Sequence, residues 1–315
     1  MLDKLPGGGS VLMTFKIYKE FFMKKTFVAS IVFSMLFLAA VSAKSSGLGS
    51  LGKNLSALSG NAKPAEGTIP EGREILPAIF AVMSSDGSDS EKSAGVVYLS
   101  KADFDAGTYT ICQKIIMKGP LGVLQCQDSE IDISVNENQF SVETKKLATC
   151  NSDKNGNPKG EWIETTSSGK SKLNKMLADE ISKNLNLSDE EYAEFENKAY
   201  TDFGVLQSVA STSSNKLKAK LWFKKHPAEE KSVETKILVS SVDESKAENY
   251  AYKVSCLYVP LDKKLDPIIV NYYSNNDEVI DFKSDSLVEI KGKISKINFD
   301  EHSMTYKISS IDIEE

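Results

Sequence analysis

The sequence predicts an α+β, strand-rich chain: an N-terminal β-sheet with two helices, followed by a small β-barrel. Three observations carry that prediction. Apolar and polar residues alternate along much of Glu74–Trp162, and again from Leu217 to the C-terminus, with the two-residue period of half-buried strands. Two stripes of helical period, between Lys170 and Phe203, separate the strand-rich regions. A polar run, Ser211-Thr-Ser-Ser-Asn215, has nothing to bury and sets the expected boundary between residues 73–210 and residues 215–315.

The N-terminus reads as an export signal. Met23-Lys24-Lys25 is a short basic start, an apolar run from Phe27 to Leu38 follows, and Val41-Ser42-Ala43 has the small residues that a signal peptidase cuts after. The apolar run is too short for a permanent membrane span. Residues 1–22 are expected to be a mis-assigned upstream start, with Met23 the true one; an unusually long signal is the rival reading. Residues 23–43 are then the signal peptide, and the mature chain begins at Lys44, periplasmic or secreted. No cysteine at the cleavage site offers a lipid anchor.

Removing residues 1–43 takes five lysines and two acids from the 38 basic and 44 acidic side chains of the whole chain, leaving 33 against 42. Formal charge moves from −6 to −9. Arg73 is the only arginine, so bidentate clamping of phosphate is nearly excluded. An acidic chain is also a poor partner for nucleic acid. Residues 44–72, rich in Gly, Ser, Ala and Pro, read as a linker, although Leu48, Leu51, Leu55 and Leu58 would share one helical face.

Within 73–210, strands are expected at Ile75–Met83, Gly95–Ser100, Thr108–Lys118, Gly122–Val135, Gln139–Cys150 and Glu161–Thr166. A two-residue loop at Glu137-Asn138 sets Val135 opposite Phe140, Ile133 opposite Val142 and Ile131 opposite Thr144, which aligns the apolar faces. A helix over about Lys170–Asn184 carries the stripe Leu173, Met176, Leu177 and Ile181. The next helix starts at Ser188, with Glu191 completing a capping box and Leu187 and Tyr192 a hydrophobic staple. Its buried face is expected at Tyr192, Phe195, Ala199 and Phe203.

The last hundred residues predict strands at Leu217–Phe223, Thr235–Val242, Tyr250–Val259, Pro267–Ser274, Leu287–Phe299 and Thr305–Ile313. Alternation slips by one at Ser295-Lys296 and again between Ile308 and Ile311, as β-bulges would cause where a sheet coils. Gly292 removes a side chain where a coiling strand would crowd. The run Leu287–Phe299 followed by Thr305–Ile313 resembles the closing strands of OB-fold domains, a resemblance covering about residues 233–315. It implies a ligand face on the second and third strands, here Tyr250–Val259 and Pro267–Ser274, with Tyr258, Tyr272 and Tyr273 as candidate ligand-binding side chains. No Lys or Arg lies between Pro267 and Ser274, and residues 215–315 carry 16 basic against 18 acidic side chains. Nucleic acid is therefore not the expected ligand.

Other motifs are incomplete. Asn151, Asp153 and Asn155 with Gly156 follow the rhythm of a calcium loop, but the twelfth position is Trp162, with Glu161 one place early. A hairpin turn is the expected structure there, with calcium the alternative cofactor. Gly169-Lys170-Ser171 lacks the glycine of a phosphate loop, since Glu164 holds that position. Ser50-x-x-Lys53 and Ser167-x-x-Lys170 lack the Lys-Thr-Gly companion of serine–lysine acyl-transfer enzymes. His226 and His302 read as separate surface residues. Of four cysteines, Cys126 falls opposite Thr149 in the hairpin register, so a single bulge would pair it with Cys150 as a disulfide.

The expected role is a non-catalytic envelope or secreted binding protein with a protein or glycan partner outside the cytoplasm. The runner-up is an exported hydrolase with a carboxylate site, and a third reading is a calcium-stabilised structural component. No catalytic residue is assigned. An open strand edge or flat aromatic surface would favour binding; buried acids clustered in a cleft would favour the hydrolase.

Overall fold

The computed structural model describes residues 62–84, 93–104, 106–118, 124–301 and 306–315. The signal segment, most of the linker and His302 lie outside them. The fold is mixed α+β and strand-rich, with two sheets. In chain order the elements are β1 (Ala65–Thr68), α1 (Ile75–Ser84), β2 (Ser93–Asp103), β3 (Thr108–Lys118), β4 (Leu124–Asn136), β5 (Gln139–Ser152) and β6 (Pro158–Glu164). Four helices follow: α2 (Ser167–Leu185), α3 (Asp189–Ala199), α4 (Phe203–Thr212) and α5 (Lys216–Lys225). The chain ends in β7 (Ser232–Glu244), β8 (Tyr252–Tyr258), β9 (Ile268–Ser274), a 3₁₀ turn (Asp277–Asp281), β10 (Leu287–Asp300) and β11 (Lys307–Glu314).

The first sheet runs β1-β5-β4-β3-β2, with β6 also paired to β5, and every pairing is antiparallel. The Glu137-Asn138 turn places Val135, Ile133 and Ile131 opposite Phe140, Val142 and Thr144, the register that the apolar alternation demands. Glu137 accepts a φ of 53° to make the turn. A register shift between Glu130 and Ile131 then brings Cys126 directly opposite Cys150. The bulge is the one the sequence required, but the disulfide is not formed: all four cysteines are free thiols. Cys126 Sγ donates instead to the Gly156 carbonyl at 3.2 Å.

Two expected strands are helices. Ile75–Ser84 is an apolar run buried nearly all round, against α2 and α3. Such a run has no period to separate strand from buried helix, and Pro77 falls in the first turn, where its missing N–H costs nothing. Lys216–Lys225 alternates at Leu217, Ala219, Leu221 and Phe223, yet the side chains it buries are Ala219 and Trp222, one helical turn apart. Asn215 caps it, accepting from Leu217 N and Lys218 N. The capping box of Ser188 and Glu191 forms as expected. The helix it starts ends at Ala199, and a fresh one begins after Asp202, whose side chain accepts from Val205 N at 2.8 Å.

The second sheet, β10-β11-β9-β8-β7, closes through the β10–β7 pairing; β11 runs parallel to β9 and the other pairs are antiparallel. Register shifts fall between Ile294 and Lys296 and between Asn298 and Phe299. A Cβ on Gly292 would stand 2.4 Å from the Glu314 carbonyl oxygen, so the close strand crossing there requires glycine.

Helix α4 joins the two sheets. Ser208 Oγ donates to Leu99 O on β2 at 2.6 Å, and Thr212 Oγ1 accepts from Ala102 N at 2.8 Å. On its other side Gln207 Nε2 donates to Asp266 O at 2.9 Å, and its Oε1 accepts from Ile308 N at 2.9 Å. The buried residues of sheet, helices and barrel form one contiguous hydrophobic cluster.

Candidate functional site

Three places combine exposure with chemistry. The first is the β5–β6 hairpin. Its tip is organised by Asp153, whose Oδ1 accepts from Asn155 N (2.8 Å) and Asn157 N (2.9 Å) and whose Oδ2 accepts from Asn157 Nδ2 (3.1 Å). Those bonds, the Asn157 amide foremost, hold the carboxyl below its ordinary pKa. Gly156 supplies the φ of 84° that closes the loop. Asn151 is paired within the sheet and Glu161 lies exposed on β6. Among the described residues no group of three or more His, Cys, Asp or Glu could hold a metal.

Strand β6 is exposed at every residue. Its one strand partner among the described residues is β5, which leaves its other edge open. Trp162 is 43% exposed and Ile163 69% exposed on that strand. An open edge carrying an exposed aromatic is a template for strand addition.

The second place is the barrel's outer face. Tyr273 lies there beside Tyr250, ring centroids 6.0 Å apart, and Tyr250 Oη donates to Glu314 at 2.9 Å. Ile269 is exposed on the same face, two residues before Asn271, which donates to Asp312 at 2.6 Å. Tyr272, adjacent to Tyr273, necessarily points the other way: it is buried in the barrel, its hydroxyl donating to Lys291 O at 3.3 Å. Tyr258 is half-buried, edge-on to Phe203 at 5.4 Å. Of the three candidate tyrosines, Tyr273 and Tyr258 are half-buried and Tyr272 is buried, and Tyr273 is the one on the outer face beside Tyr250.

The third is a cleft of about 310 Å³ where Ser100, Lys101, Thr110 and Glu130 of the sheet meet Ser211 and Thr212 of α4 and Lys264 and Leu265 of the β8–β9 loop. Two buried acids stand beside it, bonded to residues of its lining or near it, and both are already engaged. Asp262 accepts from Ser100 Oγ (2.8 Å) and Lys264 N (2.9 Å). Asp103 accepts from Ala106 N and Ser214 Oγ and pairs with Lys101. Burial works to raise the Asp103 pKa, but those donors prevail and hold it low. Burial also pushes the neighbouring Cys112 thiol up, so a thiolate nucleophile is disfavoured. Ser100 donates to the Asp262 carboxylate, and no histidine lines the cleft to complete a Ser-His-Asp arrangement.

His226 is not a surface residue. It is 7% exposed, stacked on Tyr200 and Trp222 with centroids 4.4 and 4.7 Å away. Its Nε2 lies 3.0 Å from Glu74 Oε2 and its Nδ1 3.0 Å from Trp222 O. Glu74 also accepts from Tyr200 Oη at 2.6 Å and pairs with Lys225. No local pattern announces this cluster, because Glu74 and His226 are 152 positions apart.

Neither the models of known protein families nor the curated proteins match this chain.

Proposed function

We propose that the chain is an exported, non-catalytic binding protein that takes an extended segment of a protein partner onto the open edge of β6. The observation that carries this reading is a strand exposed along its whole length, with Trp162 and Ile163 both exposed and no second strand beside it among the described residues. Main-chain hydrogen bonds would supply affinity and the two apolar side chains selectivity. The cleft offers hydrolysis little support, since no histidine lines it and the buried acids beside it, Asp262 and Asp103, already accept hydrogen bonds. Export rests on the Met23–Ala43 pattern. The order of the five barrel strands supports an OB-like reading of that half, with the first strand followed by the second, third, fifth and fourth before closure. Its near-balanced charge, 16 basic against 18 acidic side chains over residues 215–315, suits a partner other than nucleic acid.

A photoreactive phenylalanine analogue at Trp162, introduced in the producing cell, is expected to give one discrete cross-linked product. Ile163→Lys should abolish it, because a charge on the edge opposes strand addition. An unchanged yield in that variant, or turnover of a hydrolysable substrate that Glu130→Gln eliminates, would overturn the reading.

Calcium forms no part of the proposal. Millimolar calcium is expected to leave the melting temperature unchanged, since the Asp153 oxygens already accept from three amide donors. A bound ion would raise stability once its concentration exceeded the dissociation constant. A rise that Asp153→Ala removes would establish a calcium site at the hairpin.

A further inference from the structure

Helix α5 faces solvent with the wrong residues for a surface that meets only water. At about 100° per residue, Ala219 and Trp222 mark its buried side, at 0% and 8% exposure. Leu217 and Leu221 stand one turn apart on the opposite side, 64% and 55% exposed. Five of the ten residues are lysines and none is acidic, in a chain whose net charge is −6. Helical geometry places Lys216, Lys220 and Lys224 along one flank of the leucine stripe and Lys218 and Lys225 along the other, with Lys224 the nearest to the leucines.

The helix is held firmly in this orientation. Phe223 packs on Phe299 and Tyr306 of the barrel. Lys220 Nζ reaches Glu301 Oε2 at 2.7 Å, Lys216 Nζ reaches Glu301 O at 2.9 Å, and Lys225 pairs with Glu74. Lys216 and Lys220 share the one Glu301 carboxylate and Lys225 takes Glu74, so these three lysines meet two carboxylates and keep a positive excess.

We propose that α5 docks the protein on a bilayer surface rich in anionic lipid. Leu217 and Leu221 would enter the boundary between headgroups and acyl chains, while the flanking lysines reach lipid phosphates along their methylene stems. Charge complementarity selects this occupant. A second copy would bring ten lysines face to face, and a neutral surface would leave them uncompensated. No helix among the described residues is long and apolar enough to cross a membrane, so the contact is peripheral. It is independent of strand addition at β6.

The test is sedimentation of the full chain with vesicles of phosphatidylglycerol and phosphatidylcholine in equal parts, against vesicles of phosphatidylcholine alone. Binding is expected to the anionic vesicles at low salt and to be absent from the neutral ones. Leu217→Ser with Leu221→Ser should weaken it about tenfold, without lowering the melting temperature because both side chains are already exposed. Lys224→Gln should weaken it about fivefold at low salt. Equal binding to both vesicles, or unimpaired binding by the leucine variant, would overturn the proposal. Leucine-dependent binding to soluble polyglutamate, with neither vesicle sedimenting the protein, would replace the bilayer with an acidic protein partner.

Discussion

Replacing Gln207 with alanine is expected to lower the stability of the whole protein by about 3 kcal/mol. The side chain is completely buried in α4. Its amide donates to Asp266 O and, at 3.3 Å, to Ile308 O, and accepts from Ile308 N. Truncation leaves an N–H and a carbonyl without partners in a dry interior, at roughly 1–3 kcal/mol each, and opens a cavity as well. Gln207→Leu restores most of the volume but not the hydrogen bonds, so its loss should be smaller, about 2 kcal/mol. Because Ser208 and Thr212 fix the same helix to β2, the alanine variant should also loosen the coupling between sheet and barrel. Urea unfolding followed by far-ultraviolet circular dichroism and by tryptophan fluorescence would read both effects. Coincident transitions at the wild-type midpoint would show that Gln207 holds nothing together.

That coupling was hidden in the sequence for a physical reason. Gln207, Ser208 and Thr212 are polar, and they precede a run of Ser and Asn, so the segment reads as the approach to a linker. Its polar groups are satisfied by partners at Leu99, Ala102, Asp266 and Ile308, some sixty to a hundred residues distant. Local pattern cannot report bonds of that range. What it could report was local or register-bound: the pairing across Glu137-Asn138, the Ser188 capping box, and the bulge near Ser295 that lets the barrel coil.

Periodicity misled where burial was extreme or reversed. Ile75–Ser84 is apolar on nearly every side because α2 and α3 enclose it, which erases the helical stripe. Lys216–Lys225 exposes two leucines that a stripe would have buried, and so imitates a strand. The candidate site divides the same way. Asp153 as a turn former was legible from its neighbours, while the open edge of β6 was not, because Lys159–Glu164 looks like any alternating strand until its missing neighbour is seen. Tyr272 and Tyr273 could not both face a ligand in one strand.

The Glu74 cluster yields the second large effect, and it depends on pH. Burial acts to raise this carboxyl's pKa, but donors from His226, Lys225 and Tyr200 and the charge of His226 outweigh it, bringing the value down from 4.5 to about 2. A depressed carboxyl contributes stability that is complete above its unfolded pKa and is lost as pH falls through the folded one. The window is therefore about pH 5 down to pH 2. A shift of this size would represent about 3.4 kcal/mol at full strength; with the side chain 31% exposed, screening reduces the expected contribution to about 2 kcal/mol. Glu74→Gln keeps the shape and removes the charge. At pH 7 it should unfold about 2 kcal/mol more easily than wild type, because Lys225 loses its counter-charge and the hydrogen bonds from His226 and Tyr200 weaken. The gap should narrow through pH 4 and be mostly gone at pH 2, where about half of the wild-type carboxyl has taken up its proton. Urea titrations of both proteins at several pH values would measure it. A gap of constant size across that range would mean that Glu74 acts through packing, and that the cluster joining α1 to α5 is held by its aromatic rings rather than by charge.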